Sequence, residues 1–182
     1  MHKSILETER LLLRPPERRD IPVFTPLIGD FDVAKNLGTV PHPYAESDAF
    51  TWIAQLDERR AKGEAFQFGV TRKSDGAYMG GCGLHLDKGE LELGYWYGKP
   101  YWKQGYATEA ARRVLQFGFE ELQVSDIWAG WFHDNPNSGH VLAKLGFVSK
   151  GFEKRSCLAR GIEVGCNIVT LSRDTFVARR VA

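Results

Sequence analysis

The spacing of apolar positions changes several times along the chain, and each change marks a predicted element. Residues 9–14 (ERLLLR) are a short apolar run closed by Pro15-Pro16, which predicts a first strand. A helix is expected over 18–28, with Pro22 near its start, where proline is tolerated. Residues 37–44 contain Gly38, Pro41 and Pro43 and read as a loop. Ser47 and Asp48 are suitable caps for a helix running to Lys62. Its apolar side would carry Phe50, Ile53, Ala54 and Leu56, with Gly63 just beyond.

The middle of the chain is strand-like. Residues 66–70 alternate, Ser74-Asp75-Gly76 signals a turn, and 78–86 reads as the next strand. Asp87-Lys88-Gly89 then turns the chain into 90–97, so three runs with short connections predict an antiparallel meander. Ala107, Ala110, Ala111, Val114, Leu115, Gly118, Phe119 and Leu122 recur at steps of three and four. That period predicts a helix over 107–122 with one buried face. Residues 127–132 form a further strand, and the helix before it allows it to lie parallel to 91–97. A short helix over 137–145 stops at Gly146, and strands near 147–154 and 163–171 pair as a hairpin. No repeat or linker interrupts this order. One α/β domain over 1–182 is expected.

Composition narrows the function classes. The chain has 182 residues, 43% hydrophobic and 26% charged, which suits one sizeable core. A net charge of +1 without runs of like charge argues against a nucleic-acid surface. No apolar run approaches the roughly 18 residues of a membrane span, and no signal segment opens the chain. The cytoplasm is therefore the expected location. Cys82, Cys157 and Cys166 lack paired spacing and read as reduced, buried thiols. Cys82 and His85 are two possible metal ligands, but no second pair stands at zinc-like spacing, so no metal is expected.

The chemistry concentrates in Lys103-Gln104-Gly105-Tyr106-Ala107-Thr108-Glu109-Ala110, between a predicted strand and a predicted helix. The first N–H groups of a helix have no internal partner and carry partial positive charge, so this junction is a candidate pyrophosphate cradle. Gly105 lets the backbone approach closely and Ala107 adds little bulk. A P-loop Lys-Ser/Thr and a Rossmann glycine triplet are both missing, which sets aside a nucleotide-binding protein.

The order of elements and this turn resemble the GNAT superfamily of acyl-CoA N-acyltransferases. Glu92-Leu93-Gly94-Tyr95-Trp96 and the run from Tyr101 to Ala110 are similar to the acyl-CoA motif of the branch that acetylates ribosomal-protein N-termini. Asn135-Pro136-Asn137-Ser138, continuing through Lys144-Leu145-Gly146-Phe147, and the opening Thr8-Glu9-Arg10-Leu11-Leu12-Leu13-Arg14-Pro15 match that branch too. The likeness covers about residues 8–172. It departs in two places: Trp102 stands where the phosphate turn often begins with Arg or Gln, and Leu142 where a thiolate-protonating tyrosine is common. In the second role the ribosomal-protein branch offers a serine, here Ser138.

The resemblance implies a mixed sheet of about seven strands, splayed between the fourth and fifth, with about four helices. It implies acetyl-CoA as co-substrate, held by Tyr95, Trp96, Tyr97, Lys103, Gln104, Gly105, Tyr106, Ala107, Thr108, Asn135 and Ser138. Ser138 would donate to the departing thiolate, or simply cap a helix; Asn135 would bond the pantetheine amides, or simply serve a turn. Glu92 would be the base, through water, or an exposed strand carboxylate. Tyr44, Trp52 and Trp96 are candidates to line the acceptor pocket or to pack the core. The implied activity is direct transfer of acetyl to a primary amine, such as a ribosomal protein's N-terminus. A small-molecule or antibiotic acetyltransferase and a non-catalytic acyl-CoA-binding regulator are the alternatives. The protein would be a monomer or homodimer.

Overall fold

A computed structural model describes residues 5–181. The chain runs β1 (Leu6–Glu7), β2 (Leu11–Arg14), α1 (Ile21–Gly29), α2 (Phe31–Ala34), α3 (Glu46–Ala61), β3 (Ala65–Arg72), β4 (Tyr78–Asp87) and β5 (Glu90–Tyr97). It continues through α4 (Tyr106–Gln116), β6 (Asp126–Phe132), α5 (Pro136–Leu145), β7 (Val148–Cys157), β8 (Ile162–Ser172) and α6 (Arg173–Val181). The strands form one sheet in the order β1-β2-β3-β4-β5-β6-β8-β7. Every pairing is antiparallel except β5 with β6, which the α4 crossover makes parallel.

That parallel pair is the feature that shapes the molecule. β5 and β6 share a single registered pair, Glu92 with Trp128. On its other side β5 stays paired with β4 as far as Tyr97, and β6 stays paired with β8 as far as Phe132. The two strands therefore part beyond Glu92 while each remains anchored to its outer neighbour. This is the splay implied by the resemblance.

Side-chain alternation along β5 divides its residues between the two faces. Leu91, Leu93, Tyr95 and Tyr97 join the main core, together with Ala110, Ala111, Val114 and Leu115 of α4 and Leu142 and Leu145 of α5. The opposite face carries Glu92, Gly94 and Trp96, and Trp96 packs with Ile21, Phe24, Ile28 and Ala49 beneath α1 and α3. Arg14 donates two 2.7 Å bonds to the buried Asp20, tying β2 to the start of α1.

Several local expectations are revised. Among the described residues the sheet has eight strands rather than about seven, the addition being Leu6–Glu7, and two helices join the expected four. Asp30 caps the single turn of α2 by accepting from Asp32 N at 2.9 Å. Phe176 anchors α6 against Phe119, with ring centroids 5.2 Å apart. Ser47 does not cap α3: Ala45 precedes the helix, and Asp48 reaches back to accept from its N–H at 2.9 Å. The inward face of α3 is Ala49, Trp52, Ile53 and Leu56, while Phe50 and Ala54 are exposed. The expected helix over 107–122 is α-helical only to Gln116 and widens into a π-turn at Phe117–Glu121. In an α-helix residues two apart do not share a face. The wider turn buries both Phe117, against Phe66 and Phe68, and Phe119.

Candidate active site

The turn between β5 and α4 is built on left-handed backbone. Lys103 has φ 59° and Gly105 φ 82°, and Gly105 directly precedes α4. Among the described residues a side chain at Gly105 would meet only Arg10 Nη2, at 3.4 Å, so backbone conformation rather than crowding demands glycine. No side chain caps α4. The first-turn N–H groups at Tyr106, Ala107 and Thr108 are thus left for a ligand or solvent.

Arg10 fixes this turn, a role not legible from its place in the sequence. Its Nη1 donates to Gln104 O at 3.1 Å, its Nε to Glu109 Oε2 at 2.7 Å, and its guanidinium lies 4.5 Å from the Tyr106 ring centroid. Glu109 also accepts from Thr8 Oγ1 and from Arg10 N. Burial pushes the Glu109 carboxyl up, but the bonds from Thr8 and Arg10 outweigh it and hold the group below its usual range. Gln104 uses its amide on Pro100 O at 2.8 Å, and Trp102 Nε1 donates to Tyr97 O at 2.6 Å. Lys103 is exposed, whereas Tyr97 and Tyr106 are buried and joined by a hydroxyl-to-carbonyl bond of 3.4 Å. A groove of about 650 Å³ starts at Gly105 and follows α4 past Arg112 and Arg113 to Lys144.

On the α5 face of the sheet, Tyr95 of β5 meets Ser138 of α5. Their hydroxyls are 2.8 Å apart, and Tyr95 Oη also donates to Ser138 O at 3.1 Å. Burial, the largest influence, raises the Tyr95 pKa, so the phenol stays protonated. Asn135 precedes α5 without bonding it through its side chain, and the Ser138 hydroxyl is paired with Tyr95 instead of capping the helix. Leu142 is buried in the core. A phenol therefore does stand beside α5, supplied by β5.

On the opposite face Glu92 is only 7% exposed, which rules out a solvated strand carboxylate. Arg155 Nη1 donates to Oε1 at 2.7 Å, while Oε2 faces His85 Nε2 at 3.2 Å and Arg155 Nη2 at 3.3 Å. Burial raises the Glu92 pKa, but the bonds from His85 and Arg155 prevail and leave it lowered. Arg155 also reaches Asp87 at 3.4 Å and lies 5.1 Å from the Trp128 ring centroid. His85 faces Glu92 across β4 and β5 in register. Arg155, on a strand 63 residues away, was missed because nothing local marks it.

Tyr44, Trp52 and Trp96 come together in one aromatic cluster with Phe24 and Tyr78. Phe24 lies 6.0 Å from Trp52 and 6.3 Å from Trp96. Burial and then Asp48 push the Tyr44 hydroxyl up to about 12. The expected loop over 37–44 is stitched to the far end of the sheet. Arg160 Nε donates to Lys35 O at 2.7 Å, Leu158 N donates to Gly38 O at 3.1 Å, and Arg160 pairs with Asp134. The three cysteines are buried and free. Among the described residues no three His, Cys, Asp or Glu side chains converge as metal ligands, and no helix is long and apolar enough to cross a membrane.

Residues 10–148 match the acetyltransferase (GNAT) domain model. An uncharacterized N-acetyltransferase, p20 of Bacillus licheniformis, is 30% identical over 159 residues, covering 86% of this chain and 89% of its own. The [ribosomal protein uS5]-alanine N-acetyltransferase of Escherichia coli is 26% identical over 113 residues, covering 60% of this chain and 58% of its own. Among solved structures, Mycobacterium smegmatis RimJ in complex with CoA-disulfide superposes with a TM-score of 0.84 at 20% identity, covering 100% of this chain and 96% of its own.

Proposed function

The chain belongs to the GNAT family of N-acetyltransferases, and we propose that it moves acetyl from acetyl-CoA directly to a primary amine, a protein N-terminus such as that of a ribosomal protein. One observation carries the reading: β5 and β6 part immediately after Glu92–Trp128, beside a left-handed turn that aims free helix N–H groups outward. Acetyl-CoA, when bound, supplies an activated thioester. The backbone of β5 near Tyr95 and Trp96, unpaired toward β6, would accept the pantetheine arm as an added strand. Asn135, before α5, would bond that arm's amides. Gly105, Tyr106, Ala107 and Thr108 would hold the pyrophosphate on backbone N–H groups, with Lys103 adding charge and Gln104 fixing the turn. The adjoining groove is lined by Arg112, Arg113 and Lys144 together with Glu7, Glu9 and Glu109, and Arg113 pairs with Glu121 at 3.6 Å, so Arg112 and Lys144 are the cations that would meet a further phosphate.

No side-chain nucleophile is needed, because alignment and proton handling suffice. The Ser138–Tyr95 hydroxyl pair stands on the α5 side to protonate the departing sulfur. The acceptor comes from the opposite face, where Glu92, Gly94 and Trp96 point and the aromatic cluster of Tyr44 and Trp52 borders the sheet. An N-terminal amine titrates near 8, so roughly a tenth is neutral at pH 7 and the proton to be removed is not strongly held. The likeness to the uS5-alanine enzyme supports an N-terminal acceptor.

The direct test is the melting temperature with acetyl-CoA, CoA and ATP. Ligand at 100 times its Kd adds about 2.7 kcal/mol, a rise of several degrees. Acetyl-CoA and CoA should produce it and ATP should not; no rise at saturating acetyl-CoA would end the transferase reading. Peptides copying ribosomal-protein N-termini, compared with aminoglycosides by mass shift, would then identify the acceptor class. Ser138→Ala should lower kcat by about tenfold with little change in acetyl-CoA affinity. An unchanged rate would remove Ser138 from the mechanism.

A further inference from the structure

We propose that His85, not Glu92, takes the proton from the acceptor amine, and that Glu92 and Arg155 are the pair that positions it. The inference rests on the transferase reading above and assigns a residue within that site. Both Glu92 oxygens are engaged, the carboxyl is buried, and protonating it would break the contact with Arg155 at 2.7 Å. His85 is placed differently. Its Nε2 faces Glu92 Oε2 at 3.2 Å, its side chain is 32% exposed, and among the described residues no hydrogen bond engages its Nδ1. A carboxylate on one ring nitrogen fixes the tautomer: Nε2 keeps its hydrogen and Nδ1 keeps its lone pair.

Gly94 shows where that ring points. Among the described residues, a side chain built on Gly94 would meet one neighbour within 4 Å, His85 Cε1 at 3.9 Å. Gly94 lies two residues beyond the last pair that joins β5 to β6. The ring edge thus borders open space on the acceptor face just past the point where the strands part. Glu92 on β5 is the charged group that faces the ring, and Arg155 of β7, which pairs with Glu92, is itself flanked by Asp87 of β4 and Glu153 of β7.

The proton and electron balance is simple. His85 Nδ1 takes one proton from the acceptor ammonium and later releases it to solvent. The freed nitrogen lone pair forms the N–C bond to the acetyl carbonyl carbon. The C–S bond breaks with its pair going to sulfur, and the second N–H proton reaches that sulfur through the Ser138–Tyr95 hydroxyls. Glu92 keeps the ring oriented and never carries the proton.

The test uses the full chain, acetyl-CoA and a short peptide with an N-terminal alanine. His85→Gln keeps an N–H donor toward Glu92 but offers no basic nitrogen. It should show the unmodified protein's melting-temperature rise with acetyl-CoA while kcat falls on the order of a hundredfold. His85→Ala should regain part of its rate with added imidazole, and the unmodified protein should not respond. The assignment is overturned if His85→Gln keeps its rate within about twofold. It is also overturned if His85→Ala, stabilised normally by acetyl-CoA, gains nothing from imidazole. Failure of the transferase reading itself looks different: acetyl-CoA then leaves the melting temperature of the unmodified protein unchanged.

Discussion

Gly105→Glu should bind acetyl-CoA more than about a thousandfold more weakly than the unmodified chain, a loss of roughly 4 kcal/mol. The residue sits at φ 82°, where a side chain with a Cβ costs about 1–2 kcal/mol of stability with or without ligand, so the loss of affinity comes from the charge. The new carboxylate would then lie against the free N–H groups that start α4 and occupy them itself. Hydrogen bonds to a charged group are worth about 1.5–3 kcal/mol each, so losing two to an internal competitor supplies most of the effect. Like-charge repulsion of the phosphates adds to it. The fold should survive, because among the described residues the only atom within 4 Å of the built Cβ is the flexible end of Arg10, at 3.4 Å. Gly105→Asn is the control: asparagine tolerates left-handed backbone and carries no charge, so its affinity should fall less than about tenfold. Calorimetric titration of both variants decides the matter. Binding by Gly105→Glu within tenfold of the unmodified chain would mean that this turn does not hold the pyrophosphate.

Local signals account for what was legible in the sequence. Gly105 was readable because a turn between strand and helix constrains backbone, and backbone constraint shows in residue type. The strands were readable from alternation and from turns such as Asp87-Lys88-Gly89, and α4 from its three- and four-residue steps. The parallel placement of β5 and β6 followed from the helix between them. Contacts between distant segments were not legible. Arg10 supports a turn 94 residues away, and Arg155 pairs with Glu92 across 63 residues. Both belong to ordinary strand-like stretches, where an arginine reads as surface. Glu92 was identifiable as chemically interesting, but its burial and its contact with His85 depend on register between strands. The buried face of α3 was misjudged for a related reason. Phe50 is apolar yet 46% exposed, and the helix's rotation is set by Phe24 packing against Trp52 rather than by its own composition.

Arg155→Met should be the most destabilising change in the site. Removing one partner of a buried pair leaves the other charged and unpaired, which costs about 3–5 kcal/mol when both are fully buried. Arg155 keeps 28% of its side-chain surface and His85 still faces Glu92, so about 2–3 kcal/mol is the appropriate scale. For a chain of this length that lowers the melting temperature by about 5–10 °C. Its pH dependence separates this cause from lost packing. In the unmodified protein the Glu92 carboxyl is held below its ordinary 4.5. Its contribution is therefore complete above pH 4.5 and is lost as the pH falls through the folded value. Without Arg155, which supplies two of the bonds and a full positive charge, burial of Glu92 is opposed by His85 alone, and its carboxyl should move up. The variant's penalty is then largest near neutrality and shrinks on acidification, because protonation removes the unpaired charge. The stability gap between the two proteins should narrow steadily from pH 7 to pH 4. Adding Glu92→Gln to Arg155→Met should recover much of the loss at pH 7, since an amide in that position is neutral and can still bond His85. A gap that stays constant with pH, with no recovery in the double variant, would mean that Arg155 stabilises the sheet through its packing on Trp128 and not through Glu92.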